Sequence, residues 1–196
     1  MGNILAVSCS PREISNSHIL LEHFIKGSRA AGARCRIYRL RGLEFRACTG
    51  CEACSLTGEC VFGDDLAALF EAFRQEADAL VLAAPVYAMG INALGKAMID
   101  RSQVFWARKF ILKQPPLEKK PAFFLSTAGR ENRETFFCAQ QTARYFFKML
   151  DLKGEGELLV NPVDGPGEIM QLPIRLLAAR EAGYLFARSI KGRPNT

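Results

Sequence analysis

Four of the seven cysteines stand together, as Cys48-x2-Cys51-x2-Cys54-x5-Cys60. A C-x2-C-x2-C run wraps three thiolates around a compact corner, and a fourth at a slightly longer interval closes a tetrahedral set. Cysteine thiolates are the usual ligands of a [4Fe–4S] cluster. Bacterial ferredoxins use C-x2-C-x2-C-x3-C-P, in which the fourth cysteine serves a second cluster. Here there is no second set and no proline after Cys60, so all four can serve one cluster. Gly50 and Gly58 supply the backbone freedom that such wrapping needs. Structural zinc is a rival, although its cysteines usually come as two well-separated pairs. Free thiols on a metal-free loop are another, and disulfides a third, disfavoured in a reducing compartment. Cys9, Cys35 and Cys138 are isolated and read as small buried hydrophobes.

A second cluster of chemistry is Ser8-Cys9-Ser10-Pro11-Arg12-Glu13-Ile14-Ser15-Asn16-Ser17. It offers hydroxyls, an amide and a guanidinium just before a helix, where free N–H groups and the helix dipole favour an anion. A phosphate monoester suits such converging donors; an ordinary serine-capped helix start is the plainer alternative. Pro85-Val86-Tyr87-Ala88-Met89-Gly90 follows an apolar strand. Pro and Gly shape a backbone that can approach a flat ring, and Tyr87 and Met89 can wall it. Taken alone, this segment reads as a plain strand-to-helix loop. No side chain stands out as an acid–base catalyst; His18 and His23 read as surface or packing residues.

The first loop resembles the phosphate loop of the NADPH-dependent FMN reductase superfamily, written G-S-P-R-x-x-S-N-S/T. The resemblance implies that Ser10, Arg12, Ser15, Asn16 and Ser17 hold the FMN phosphate, with Cys9 where the family often has glycine. The string P-V-Y-x8-K-x3-D-R, from Pro85 to Arg101, is closely similar to the superfamily's second motif. It implies that Pro85, Val86, Tyr87, Ala88, Met89 and Gly90 contact the isoalloxazine, while Lys96, Asp100 and Arg101 support the loop or a dimer contact. Ser126, Thr127 and Gly129 then form a third wall, although the family often has further glycines where this chain runs Glu131-Asn132-Arg133. The cysteine segment, with the Asp64-Asp65 that follows, resembles that of the iron–sulfur flavoproteins, a branch of this superfamily. The likeness spans most of residues 3–130.

The elements that must position these loops alternate along the chain. Apolar runs at 3–8, 79–84 and 121–126 read as buried strands. Residues 34–40 read as a charged edge strand and 157–160 as a last strand. Helices are expected at 17–31, from Asp64 or Asp65 to 76, and at 92–107, 131–150 and 172–190. Alternating strands and helices imply a parallel sheet covered on both faces. The expected fold is α/β and flavodoxin-like: one domain over 1–196, five parallel strands in the order 2-1-3-4-5, and a cysteine-rich insertion at about 43–63. Ligands in this order sit where strands 1 and 3 part. No G-x-G-x-x-G follows the first strand, which disfavours a dinucleotide fold.

Length and charge narrow the classes further. The 196 residues suit one full core, and 49% apolar content excludes a disordered chain. The net charge of +6 lies in residues 26–46, which hold seven basic residues and one acid; the rest is neutral. That segment reads as a solvated surface or as an electrostatic approach for an acidic, ferredoxin-like electron carrier. It carries no nucleic-acid recognition motif. No secretory signal stands at the start, and the longest uncharged run, 79–95, falls short of a membrane span. The expectation is a cytoplasmic homodimer or homotetramer that uses FMN and a [4Fe–4S] cluster for electron transfer, with NAD(P)H as a transient donor. The alternatives are a cluster-free NAD(P)H-dependent FMN or quinone reductase, and a thiol- or metal-based redox sensor.

Overall fold

The computed structural model describes residues 2–190. Its strands are β1 (Asn3–Ser8), β2 (Arg34–Arg39), β3 (Ala79–Tyr87), β4 (Gly90–Ile91), β5 (Lys120–Thr127) and β6 (Leu152–Val160). The α-helices are α1 (Asn16–Ala30), α2 (Ala53–Thr57), α3 (Asp65–Gln75), α4 (Ala93–Arg101), α5 (Gln103–Trp106), α6 (Phe137–Met149) and α7 (Pro173–Ser189). The sheet runs β2-β1-β3-β5-β6, all parallel, and β4 pairs antiparallel with β3. The five long strands follow the expected succession. The two-residue β4 makes a sixth strand that the expected order 2-1-3-4-5 lacks.

Strand alternation sorts the core into two layers. Leu5, Val7, Leu80, Leu82 and Phe124 point to one face, against Leu69 and Phe73 of α3, Met98 of α4 and Phe146 of α6. Ile4, Ala6, Val81, Phe123 and Leu125 point to the other, against Leu20 and Phe24 of α1 and Leu176 and Phe186 of α7. Phe24, Phe123 and Phe186 form a ring cluster with centroids 4.8–5.7 Å apart. Burying each such side chain contributes about 1.5–3 kcal/mol. Between α1 and α7 the backbones nearly touch. A Cβ on Gly27 would fall 1.8 Å from the Arg180 carbonyl oxygen, and one on Gly183 would fall 1.9 Å from that of Phe24.

Several expectations are corrected. β3 does not stop at Ala84 but continues through Pro85, Val86 and Tyr87, so part of the expected loop is strand. Pro85 lies beyond Ala83, where pairing with β1 stops, and forms the last pair with β5, opposite Thr127. The expected 92–107 helix divides into α4, α5 and a π-turn at Ala107–Ile111. The cysteine segment is not wholly loop, because it contains α2. β6 starts five residues earlier than expected, through the glycine-bearing Lys153-Gly154-Glu155-Gly156 run. Cys9 is buried as expected, Cys35 is half-buried, and Cys138 is exposed on α6 rather than in the core. His18 is buried, the packing alternative of its expected role.

Candidate functional site

At the C-terminal end of the sheet, where β1 and β3 part, a cleft of about 380 Å³ opens. Three expected segments meet there. Ser10, Arg12, Ser15 and Asn16 come from the first loop, Pro85 to Ala88 from the end of β3, and Thr127 and Gly129 from the end of β5. Ser17, Met89, Gly90 and Ser126 do not line it. Ser17 is fully buried with its hydroxyl 3.1 Å from that of Ser15, and Ser126 donates to the Ala84 carbonyl at 2.8 Å. Both hold the framework from behind.

Ser15 caps α1, accepting from the His18 N–H at 3.3 Å. Such caps suit serine because its oxygen meets an otherwise unpaired first-turn donor. Beneath the loop, His18 Nδ1 lies 3.0 Å from Ser8 Oγ. Burial, and next the Arg39 guanidinium, hold the His18 pKa below its ordinary value, with Glu22 opposing.

Sequence reasoning missed a fourth wall. Val163 and Asp164, from the turn after β6, also line the cleft. Arg12 Nη1 donates to the Asp164 carbonyl at 2.6 Å. Asn16 donates to Gly165 O at 2.9 Å and accepts from Ile169 N–H at 3.2 Å, so both ends of its amide brace this wall. The Asp164 carboxyl packs over Gly129, where an added Cβ would meet it at 2.9 Å. The Pro- and Gly-rich composition of 161–167, just past a parallel strand, was the available signal.

The hairpin from Val86 to Ile91 turns on Ala88 and Met89, with φ of 47° and 68°. Both central residues are left-handed, as a type I′ turn requires, yet neither is glycine. Non-glycine residues held there cost about 1–3 kcal/mol each, and such strain gathers at ligand sites. The turn presents Tyr87 and Met89 partly exposed, 38% and 40%, with the Arg12 guanidinium 5.9 Å from the Tyr87 ring.

The four clustered cysteines line a separate cavity of about 670 Å³, backed by Val104, Trp106 and Ile111. Left-handed Gly50, Glu52 and Gly58 fold the loop around α2. The Cys54 thiol is pushed up in pKa by burial first and then by its three sister cysteines, so all four share one electrostatic neighbourhood. Among the described residues no three Cys, His, Asp or Glu side chains stand in a metal-holding arrangement. The donor set is nonetheless four soft thiols, the ligand chemistry of an iron–sulfur cluster. One further atom fits an anionic group: Arg101 lines the cavity and its Nε is buried without a hydrogen bond of standard geometry. Arg101 supports the cysteine loop rather than the Tyr87 turn, hydrogen-bonding Arg46 O, Phe62 O and both Asp64 oxygens. Burial pushes the Asp64 carboxyl up, but hydrogen bonds from Arg101 and the Arg46 N–H outweigh it and hold it below the usual range. Lys96 and Asp100 pair with each other on the surface of α4.

Much of the basic segment is engaged locally. Arg41 pairs with Glu13, Arg36 with Glu76 at 3.5 Å, Arg34 donates to Asn3, and Arg29 donates to the Cys35 carbonyl. Among the described residues no helix is long and apolar enough to cross a membrane.

The model of the NADPH-dependent FMN reductase family matches residues 3–154. An iron-sulfur flavoprotein of Archaeoglobus fulgidus is 28% identical over 188 residues, 96% of this chain and 85% of its own length. An iron-sulfur flavoprotein of Methanocaldococcus jannaschii is 30% identical over 100 residues, 51% of each chain. In fold, the chain is similar to an NAD(P)H:quinone oxidoreductase from Methanothermobacter marburgensis, with a TM-score of 0.68, 20% identity, and 93% and 96% of the two chains covered. The chain belongs to the NADPH-dependent FMN reductase family, with iron–sulfur flavoproteins among its relatives, and is a flavin-dependent oxidoreductase.

Proposed function

We propose that the chain is an FMN-dependent electron-transfer oxidoreductase carrying a [4Fe–4S] cluster on Cys48, Cys51, Cys54 and Cys60, working between a one-electron carrier and FMN. The observation that carries this reading is the cavity lined by all four clustered cysteines and by Arg101, whose Nε is buried without a hydrogen bond of standard geometry. When bound, FMN exchanges one or two electrons and the cluster one, so little acid–base work falls to side chains. In the cleft, the Ser10 and Ser15 hydroxyls, the Arg12 guanidinium and the first-turn N–H groups of α1 bind the phosphate. Asn16 and Ser17 keep that loop in shape. Pro85 to Ala88, Thr127 and Gly129 wall the ring. The cysteines bind as thiolates, so loading the site releases protons.

α4 connects the two regions. It begins two residues after the hairpin and ends at Arg101, a rise of about 13 Å at 1.5 Å per residue. The arginines of β2 favour an acidic carrier by electrostatic steering. The exposed Ile174, Leu177 and Leu185 of α7 supply an apolar face for a homo-oligomer.

The match to the NADPH-dependent FMN reductase family supports a second reading, an NAD(P)H-dependent FMN or quinone reductase without a cluster. Anaerobic bleaching of the flavin separates the two. The electron-transfer reading expects fast reduction by a reduced ferredoxin, slowed by salt. Reduction by NADPH alone, in a protein without iron, would replace it with the second reading.

A further inference from the structure

We propose that Arg101 is the positioning residue of the cysteine cavity: its terminal nitrogens clasp the neck of the loop, and its Nε–H is the donor reserved for a sulfur of the bound cluster. This rests on the cluster reading above.

The clasp is visible in the partners. Arg101 is the last residue of α4, and its side chain is 1% exposed. A guanidinium so buried costs several kcal/mol unless it is paired. Nη1 donates to Asp64 Oδ2 at 2.6 Å and to Arg46 O at 2.8 Å; Nη2 donates to Asp64 Oδ1 at 3.0 Å and to Phe62 O at 3.2 Å. Arg46 stands two residues before Cys48, and Phe62 stands two residues after Cys60. One side chain therefore joins both ends of the cysteine segment to the end of α4. Asp64 completes the closure by accepting the Arg46 N–H at 3.0 Å. The Phe62 ring stacks 5.0 Å from the guanidinium carbon.

The clasp leaves one donor over. Nε is buried and no hydrogen bond of standard geometry reaches it, although Arg101 lines the cavity that holds the four thiols and lies beside Cys60. Leaving a buried N–H unpaired is costly, and a clasp alone does not require it. The acceptors that the cavity's own chemistry would bring are sulfurs: a Cys60 thiolate or an inorganic sulfide of the cluster. Hydrogen bonds to cluster sulfurs, and positive charge nearby, favour the more negative reduced state and so raise the potential.

The test uses full-length protein loaded with FMN and anaerobically reconstituted with iron and sulfide, comparing wild type, R101K and D64N. R101K keeps a positive charge but has neither the fork nor the Nε–H. It is expected to favour the reduced cluster about tenfold less, a fall of about 59 mV for one electron, and to lose iron to a chelator several-fold faster. D64N loosens the neck but keeps the donor and removes a negative charge, so iron loss quickens while the potential does not fall. A wild-type potential in FMN-loaded R101K would overturn the proposal. If R101K does not fold, pulsed EPR of reduced wild-type protein made with 15N-labelled arginine replaces it. An arginine 15N coupling to the cluster is expected, and its absence would overturn the proposal. Wild-type protein that takes up no iron would instead defeat the cluster reading, and this proposal with it.

Discussion

Arg12 Nη1 donates to the backbone carbonyl oxygen of Asp164 at 2.6 Å, joining the loop after β1 to the turn after β6 across the mouth of the cleft. With Asn16 gripping Gly165 and Ile169 beside it, the first and last loops are fixed to each other before any ligand arrives. Arg12 is thus both a wall support and the cation of the proposed phosphate site.

Arg12→Ala removes both roles. A hydrogen bond to a charged group is worth about 1.5–3 kcal/mol, so the FMN dissociation constant should rise about 10- to 100-fold. Titration of flavin fluorescence measures it. An unchanged constant would mean that the phosphate does not sit on this loop.

Gly183→Ala tests the packing beneath the site. The added methyl would fall 1.9 Å from the Phe24 carbonyl oxygen, and that backbone cannot rotate away as a side chain could. Overpacking of this kind typically costs about 1–3 kcal/mol, and the loss here is expected at or above the upper end. Urea unfolding should show a lower midpoint; a wild-type midpoint would show that α1 and α7 can separate cheaply.

Histidine titration sets a pH dependence. Burial first, and the Arg39 charge next, hold His18 below the ordinary imidazole value; His23 is shifted the same way, also chiefly by burial. The unfolded chain therefore binds more protons than the folded one just below pH of about 6.5, so stability rises with pH there. It is full above the unfolded value and is lost as pH falls from it through the folded one. Urea midpoints at about pH 7.5 and about pH 5.5 should differ in that direction, and His18→Gln should shrink the difference. An equal drop in the variant would assign the effect to other groups.

The legible parts of the sequence were those where one local signal dominates. NILAVS, ALVLAA and PAFFLS lie in central parallel strands because uninterrupted apolar runs can only be buried on both faces. Ser15, Asn16 and Ser17 lie where a helix must start. The Ala88-Met89 turn was hidden because it adopts left-handed geometry without the Asn or Gly that marks such turns. The inward role of Asn16 depends on residues about 150 positions away, which no local pattern encodes. Arg101 read as support for the Tyr87 loop or for a dimer contact because it shares that loop's motif, yet α4 carries it to the cysteine segment. The four thiols were legible as a group by spacing alone, and they line one cavity.

That cavity holds the central claim, and the metal content of the protein tests it most directly. Protein purified without oxygen and assayed for iron, sulfide and flavin should contain about four irons and about one FMN per chain, with a broad brown absorbance that Cys51→Ser greatly weakens. A yellow protein with FMN and no iron, prepared under the same conditions, would contradict the account and leave a cluster-free flavin reductase in its place.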